Sequence, residues 1–105
     1  ASLVRYNVVM LTQENIRLKR DAILEIAARY GAYDVRIFGS VARGDVNESS
    51  DLDLLVRFEE GRSLLDHGGL IMDLRELLGA RVDVIDEEGM RDRFRRQAMK
   101  EAVPL

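Results

Sequence analysis

The sequence has no cysteine and no tryptophan, and only one histidine and one proline, in 105 residues. Without cysteine the chain forms neither disulfides nor thiolate metal sites, and it lacks a cysteine nucleophile. The lone histidine, His67, excludes a zinc site built from several histidines of one chain. Carboxylates are therefore the side chains left for binding a metal. The single proline, Pro104, leaves no proline-rich linker between two domains.

Length and charge further limit the number of domains and the kinds of ligand that the chain can bind. A chain of 105 residues corresponds to one domain that can bury a core without cross-links. Its net charge of −3 argues against a positive coat for direct nucleic-acid binding. Residues 1–11 are apolar but broken, too short for a membrane span and without a signal-peptide cleavage pattern. We expect a cytoplasmic protein with a leader at 1–11, mobile or an extra strand, and a single domain at 12–105.

Three segments have the hydrophobic periodicity of helices. They are residues 12–30, 63–79 and 87–102. In the second segment Ser63 and Asp66 have the spacing of a capping box, and Gly79 is suited to end the helix. In the third segment apolar side chains four residues apart predict an inner face. These side chains are Met90, Phe94, Ala98 and Ala102.

Three shorter segments are predicted to be strands. They are residues 35–39, 51–58 and 81–86. Between the first two, the polar residues 41–50 predict a short helical turn followed by a loop. Because helices and strands alternate along the chain, the sequence predicts a small layered α/β domain.

Two aspartates lie inside the second predicted strand, where aspartate is unfavourable. Asp51 and Asp53 are two residues apart, so both side chains point to one face. At about 5 Å and an effective dielectric constant near 20, their repulsion costs roughly 3 kcal/mol. Asp83 lies in the third predicted strand, and all three carboxylates converge if the two strands are neighbours. Each aspartate alone has a structural explanation: Asp51 can cap a loop, and Asp53 and Asp83 can pair with arginines. The three aspartates together indicate a functional site.

Three convergent carboxylates form a hard-oxygen site that suits Mg²⁺ or Mn²⁺ and not zinc. Two such ions, about 3.5–4 Å apart, stabilise the attacking and leaving oxygens in phosphoryl transfer. Upstream, Gly39 lets the backbone approach a ligand, and Ser40 can cap a short helix whose N–H groups suit a phosphate. Arg43, one turn later, is placed to contact a phosphate oxygen.

The combination of Gly39-Ser40, Asp51-Leu52-Asp53 and Val82-Asp83-Val84 resembles the signature of the DNA polymerase β-like nucleotidyltransferase superfamily. Residues 38–45 and 50–56 are more similar still to the minimal nucleotidyltransferases, which supply the antitoxins of HEPN–nucleotidyltransferase toxin–antitoxin modules. The resemblance covers about residues 15–105. It implies a palm-like mixed sheet flanked by helices, and transfer of a nucleoside monophosphate from a nucleoside triphosphate to a hydroxyl.

The resemblance also implies a role for each motif residue. Asp51 and Asp53 would bind two Mg²⁺ ions, while Asp83 would bind the catalytic ion and help the acceptor hydroxyl lose its proton. Gly39 and Ser40 would hold the β- and γ-phosphates. The implied nucleotide is ATP, and the implied acceptor is a tyrosine hydroxyl on a HEPN toxin, an RNase silenced by adenylylation. The phosphate contact of Arg43 is our addition to this pattern.

Two other functions are compatible with the same residues. In one, the chain is a non-catalytic antitoxin that neutralises its partner by binding. In the other, the nucleotidyl group goes to a small molecule or a nucleic acid held by another subunit, since the chain has no acceptor-binding domain. His67 is expected to be a surface residue. The cations of the last helix indicate a solvated face or, alternatively, a surface for a phosphate or a partner. They are Arg91, Arg93, Arg95, Arg96 and Lys100.

Overall fold

The computed structural model describes residues 11–47 and 50–105, which form a four-stranded sheet with the strand order β3-β2-β1-β4. The strands are β1 (Ala32–Phe38), β2 (Leu52–Phe58), β3 (Val82–Asp86) and β4 (Val103–Pro104). Strand β1 pairs antiparallel with β2 and β4, whereas β2 pairs parallel with β3. The sheet is therefore mixed and has helices around it, as the sequence predicts.

Five α-helices and one 3-10 helix connect and cover the strands in the described part of the chain. They are α1 (Gln13–Arg17), α2 (Arg20–Arg29), α3 (Gly39–Arg43), α4 (Leu64–Leu78), the 3-10 helix Glu87–Gly89, and α5 (Asp92–Glu101). Helix α4 connects the parallel strands β2 and β3, which a tight turn cannot join. Its predicted capping box is present, because Asp66 accepts a hydrogen bond from the Ser63 N–H while Ser63 caps the helix start.

The first predicted helix is interrupted. The helix expected over 12–30 breaks after Arg17, where Lys19 donates to the carbonyl of Ile16, three residues back, and leaves helical geometry. This turn keeps both Ile16 and Ile23 buried while Leu18 remains exposed. Hydrophobic spacing does not reveal the break, because the apolar pattern continues across it.

The main core lies between one face of the sheet and helices α2 and α4. Alternation along β2 turns Leu52, Leu54 and Val56 toward this core, where Ile23 and Leu70 pack. The residues between them point to the opposite face. The sheet therefore has a core face and a second face, and the second face carries the aspartates.

Helix α5 lies on the second face. It is tied there by Met99, whose sulfur accepts a hydrogen bond from Arg36 of β1. Ala98 is buried, but Phe94, predicted to face inward with it, is 64% exposed. The prediction of an apolar inner face is thus wrong for Phe94. The helix predicted over 87–102 is also interrupted, since a 3-10 helix and an extended Met90 precede α5, which starts at Asp92.

The sequence analysis did not predict the last strand. Val103 and Pro104 pair with Ile37 and Arg36 of β1, and the buried Leu105 donates its N–H to Val35. Of the predicted leader, residues 1–10 lie outside the described residues, and Leu11 packs against the core. Within the described part of the chain, no helix is both long enough and apolar enough to cross a bilayer.

Candidate active site

Asp53 and Asp83 are direct neighbours on the second face of the sheet. They are partners in the parallel register of β2 and β3. On the other side of Asp53, its partner in β1 is Phe38, the residue before Gly39. The strand register therefore brings together the acidic pair and the Gly-Ser turn, which are distant in sequence, as predicted for neighbouring strands.

Asp53 has a raised pKa. Partial burial is the largest cause, and the negative charges of Asp83 and Asp51 raise the pKa further. The Arg43 guanidinium acts in the opposite direction but does not cancel these effects. A carboxylate that burial and like charges make costly to ionise gains most from a bound cation, whose charge offsets both effects.

Asp51 lies just before β2, and its carboxylate has one partly satisfied oxygen. Its Oδ1 atom is buried without a hydrogen-bond partner and lies 3.4 Å from Nε of Arg81, at ion-pair distance. An arginine partner is one of the structural explanations for Asp83 given above. In the structure Arg81 pairs with Asp51 instead. A buried oxygen that accepts no hydrogen bond retains a lone pair for a ligand.

Of the three predicted metal ligands, Asp53 and Asp83 are partners in neighbouring strands, whereas Asp51 lies just before β2. Among residues 11–47 and 50–105, no group of three or more His, Cys, Asp or Glu side chains is arranged to hold a metal ion as it stands. The raised pKa of Asp53, the neighbouring Asp83 and the unsatisfied oxygen of Asp51 nevertheless fit a divalent cation that prefers oxygen ligands. The metal roles of the three aspartates remain a prediction.

Gly39 allows the backbone of α3 to lie against Asp53. Its φ is +71°, a conformation that favours glycine, and a β-carbon there would stand 2.3 Å from Oδ2 of Asp53. In this structure the Asp53 carboxylate occupies the space beside Gly39, and the close approach of the backbone to a ligand remains a prediction.

Ser40 lies inside the first turn of α3 and is not its N-cap, contrary to the prediction. Phe38 is the N-cap and makes no side-chain hydrogen bond to the helix. The helix begins at Gly39, two residues before the start that an N-cap at Ser40 would give, and the positive φ of Gly39 turns the chain out of β1. The Ser40 carbonyl accepts a hydrogen bond from Asp45, so the backbone of this turn is held in place.

Arg43 ends α3 and faces the carboxylate site. Its guanidinium lies 3.3 Å from Asp45 and 3.4 Å from Glu101, and its charge lowers the pKa of Asp53. It is about half exposed, so it can exchange these partners for a phosphate oxygen. That contact remains a prediction.

A buried ionic cluster, not predicted from the sequence, lies on the second face of the sheet. Glu87 is 3% exposed and pairs with Arg36 at 2.6 Å, Arg95 at 3.1 Å and Arg57 at 3.6 Å. Burial raises the pKa of Glu87, but the Arg36 bond and the three cations together lower it. One signal was available, since Arg36 stands between the apolar Val35 and Ile37 in a strand.

His67 has a structural role in place of the expected surface position. Its Nε2 atom lies 2.6 Å from the carbonyl of Val84, and its ring packs on Phe58. This contact ties α4 to the sheet and leaves His67 outside the carboxylate site.

Comparison with known proteins agrees with this geometry. The model of the nucleotidyltransferase domain family matches residues 19–105. The protein adenylyltransferase MntA of Thermococcus cleftensis is 37% identical over 99 residues, which cover 90% of this chain and 96% of that protein. A solved structure provisionally described as a minimal nucleotidyltransferase is 55% identical, with a TM-score of 0.81 and coverage of 90% and 96%.

A more distant structure has the same fold. It is the crystal structure of a toxin–antitoxin with AMP-PNP, 19% identical and with a TM-score of 0.69. The match covers 80% of this chain and 69% of that chain.

Proposed function

The chain belongs to the nucleotidyltransferase domain family, and from this premise we propose that it transfers AMP from ATP to a hydroxyl of a partner protein. The relative from Thermococcus cleftensis is named a protein adenylyltransferase, which supports a protein acceptor. The single observation that carries the proposal is the pairing of Asp53 with Asp83 directly beside Gly39. We also propose that the chain acts in the cytoplasm, where ATP is available.

Asp51, Asp53 and Asp83 would hold two Mg²⁺ ions, or Mn²⁺, in this proposal. When bound, such ions neutralise phosphate charge and stabilise the attacking and leaving oxygens. Asp53 fits this role because burial and two neighbouring carboxylates raise its pKa, and a bound cation would offset both effects. The unsatisfied Oδ1 of Asp51 supplies a further oxygen ligand once Arg81 releases it.

The remaining residues of the site position the reactants. Gly39 and Ser40 hold the β- and γ-phosphates at the start of α3, and Arg43 contacts a phosphate oxygen. The acceptor hydroxyl oxygen bonds to the α-phosphorus, and the bond from that phosphorus to the β-phosphate oxygen breaks. Pyrophosphate leaves, and Asp83 assists removal of the hydroxyl proton.

We propose that the acceptor is a toxin of the HEPN type and that adenylylation of its tyrosine silences it. Two observations support a toxin partner. The motif of residues 38–56 resembles antitoxins of this kind, and a protein with the same fold occurs in a toxin–antitoxin structure with AMP-PNP. The described part of this chain, a single small sheet with its helices, shows no separate acceptor-binding domain.

The test incubates the purified chain with ATP, Mg²⁺ and the protein encoded beside it. Mass spectrometry is expected to show adenylyl groups on a tyrosine of that protein. Asp53→Asn and Asp83→Asn should lower the rate at least about a hundredfold, because each removes a carboxylate that would hold the Mg²⁺ ions that stabilise the transferring phosphoryl group. Asp21→Asn, which removes an exposed carboxylate of α2, is the matched control.

Two results would contradict the proposal. A tight complex without adenylyl transfer would indicate an antitoxin that acts by binding. Transfer to RNA or to a small molecule, and not to the protein, would indicate the third function considered above.

A further inference from the structure

Helix α5 and the residue before it carry charge opposite to that of the rest of the chain. Residues 91–101 contain five cations and two carboxylates, whereas the remaining residues contain eleven cations and seventeen carboxylates. The cations are Arg91, Arg93, Arg95, Arg96 and Lys100. A basic helix on an otherwise acidic protein attracts an acidic partner and orients it as it approaches.

The fold uses little of the surface of α5. Ala98 is its one buried residue, and three side-chain contacts also hold it: Arg95 with Glu87, Met99 with Arg36, and Glu101 with Arg43. Phe94 is 64% exposed, and Met99 is 47% exposed despite its contact with Arg36. Stability of the fold does not explain this combination of exposed apolar and basic side chains.

One face of α5 carries a groove that is open to solvent and that, among the described residues, is lined by this helix alone. Met99 lies there among cations, in a groove of about 430 Å³. The lining residues are Asp92, Arg95, Arg96, Met99 and Lys100. A groove with an apolar centre and a mostly positive rim fits an acidic segment that carries an apolar side chain.

The end of α5 adjoins the carboxylate site. Glu101 contacts Arg43, and the charge of Arg43 acts on Asp53. A protein bound along α5 therefore has part of its surface beside the site where transfer is proposed to occur.

We propose that α5 is the surface on which the acceptor protein docks, through an acidic segment that places an apolar side chain beside Met99 or Phe94. This inference rests on the proposed transfer to a protein. A nucleic acid fits the surface less well, because the residues outside this segment, with eleven cations and seventeen carboxylates, have a net negative charge that repels phosphates.

The test uses a double charge reversal, Arg93→Glu with Arg96→Glu. Neither arginine forms an ion pair with a described residue, so the fold should tolerate the change. We expect the affinity for the protein encoded beside this chain, measured without nucleotide, to fall at least about tenfold and to lose much of its dependence on salt. In the transfer assay, KM for that protein should rise while KM for ATP is unchanged.

The matched control is Lys19→Glu with Arg20→Glu, the same charge change at the start of α2. The control should bind and transfer like the wild type. Phe94→Ala, which removes an exposed ring, should also weaken binding without a change in Tm.

Binding and transfer distinguish failure of this inference from failure of the proposed function. Docking on α5 is wrong if the wild type does not bind the neighbouring protein, if the α5 reversal binds as tightly as the wild type, or if the control loses as much affinity. It is also wrong if the reversal abolishes binding of single-stranded RNA and leaves protein binding intact. Loss of binding in the α5 reversal supports docking even if no adenylyl group is transferred, in which case only the proposed function fails.

Discussion

The backbone at Gly39 lies against the Asp53 carboxylate in the proposed site. We predict that Gly39→Ala lowers the transfer rate about a hundredfold, because the new β-carbon would stand 2.3 Å from Oδ2 of Asp53 and displace it. A shift of about 1 Å in a catalytic group is enough for a loss of that size. The measurement is the steady-state rate with ATP and the acceptor protein.

Gly44→Ala provides the matched control for backbone strain. Gly44 also has a positive φ, +81°, but nothing lies within 4 Å of an added β-carbon. Both variants should lose about 1–2 kcal/mol of unfolding free energy from the left-handed backbone. If Gly44→Ala loses as much activity as Gly39→Ala, displacement of Asp53 is not the cause of the loss.

At the residue scale, the sequence predicts the aspartates better than it predicts their surroundings. Asp53 and Asp83 stand out because aspartate is unfavourable in strands, and their register makes them neighbours. The pairing of Asp51 with Arg81 depends on a side-chain direction that spacing does not determine. Glu87 was missed because a glutamate just after a strand carries no motif, and only the fold brings three arginines to it.

At the element scale, Glu87 fixes the 3-10 helix and α5 on the second face of the sheet. We predict that Glu87→Gln lowers the unfolding free energy by about 3 kcal/mol, because it leaves the buried Arg36 guanidinium without its nearest countercharge. Urea denaturation at neutral pH measures this loss. Glu88→Gln, at an exposed position, should cost less than about 1 kcal/mol.

The effect of Glu87 should depend on pH in a defined direction. Its pKa is lowered in the folded protein from the ordinary value of 4.5, so the carboxylate stabilises the fold above that pH. As the pH falls below 4.5 and through the lowered pKa, the wild type should lose this stabilisation. The difference between wild type and Glu87→Gln should then shrink; a difference that stays constant would contradict the ionic explanation.

Predictions of elements succeed where local signals are strong. The start and end of α4 follow from Ser63, Asp66 and Gly79, which act within a few residues. The break before α2 and the two-residue strand β4 depend on contacts between distant parts of the chain. Val103 becomes a strand residue only because the edge of β1 is available to it.

At the scale of the whole molecule, ionised Asp53 is expected to lower stability when no cation is bound and to support the added stability when Mg²⁺ and nucleotide are bound. Without metal, Asp53→Asn should raise Tm by a few degrees, because it removes a carboxylate whose pKa is raised by burial and by two like charges. The raised pKa means that ionised Asp53 costs stability above that pKa. This cost is absent below the ordinary value of 3.8, where the side chain is protonated in both states.

Mg²⁺ with a non-hydrolysable ATP analogue should reverse this order. A ligand at a hundred times its Kd stabilises the native state by about 2.7 kcal/mol, and this gain requires Asp53 in the proposed site. The wild type should therefore melt above Asp53→Asn when both ligands are present and below it when they are absent, with Asp21→Asn behaving like the wild type in each case. Thermal unfolding followed by circular dichroism measures both conditions. If the ligands raise Tm equally in wild type and Asp53→Asn, the nucleotide binds elsewhere. Only a site that uses this carboxylate makes the two melting curves exchange order.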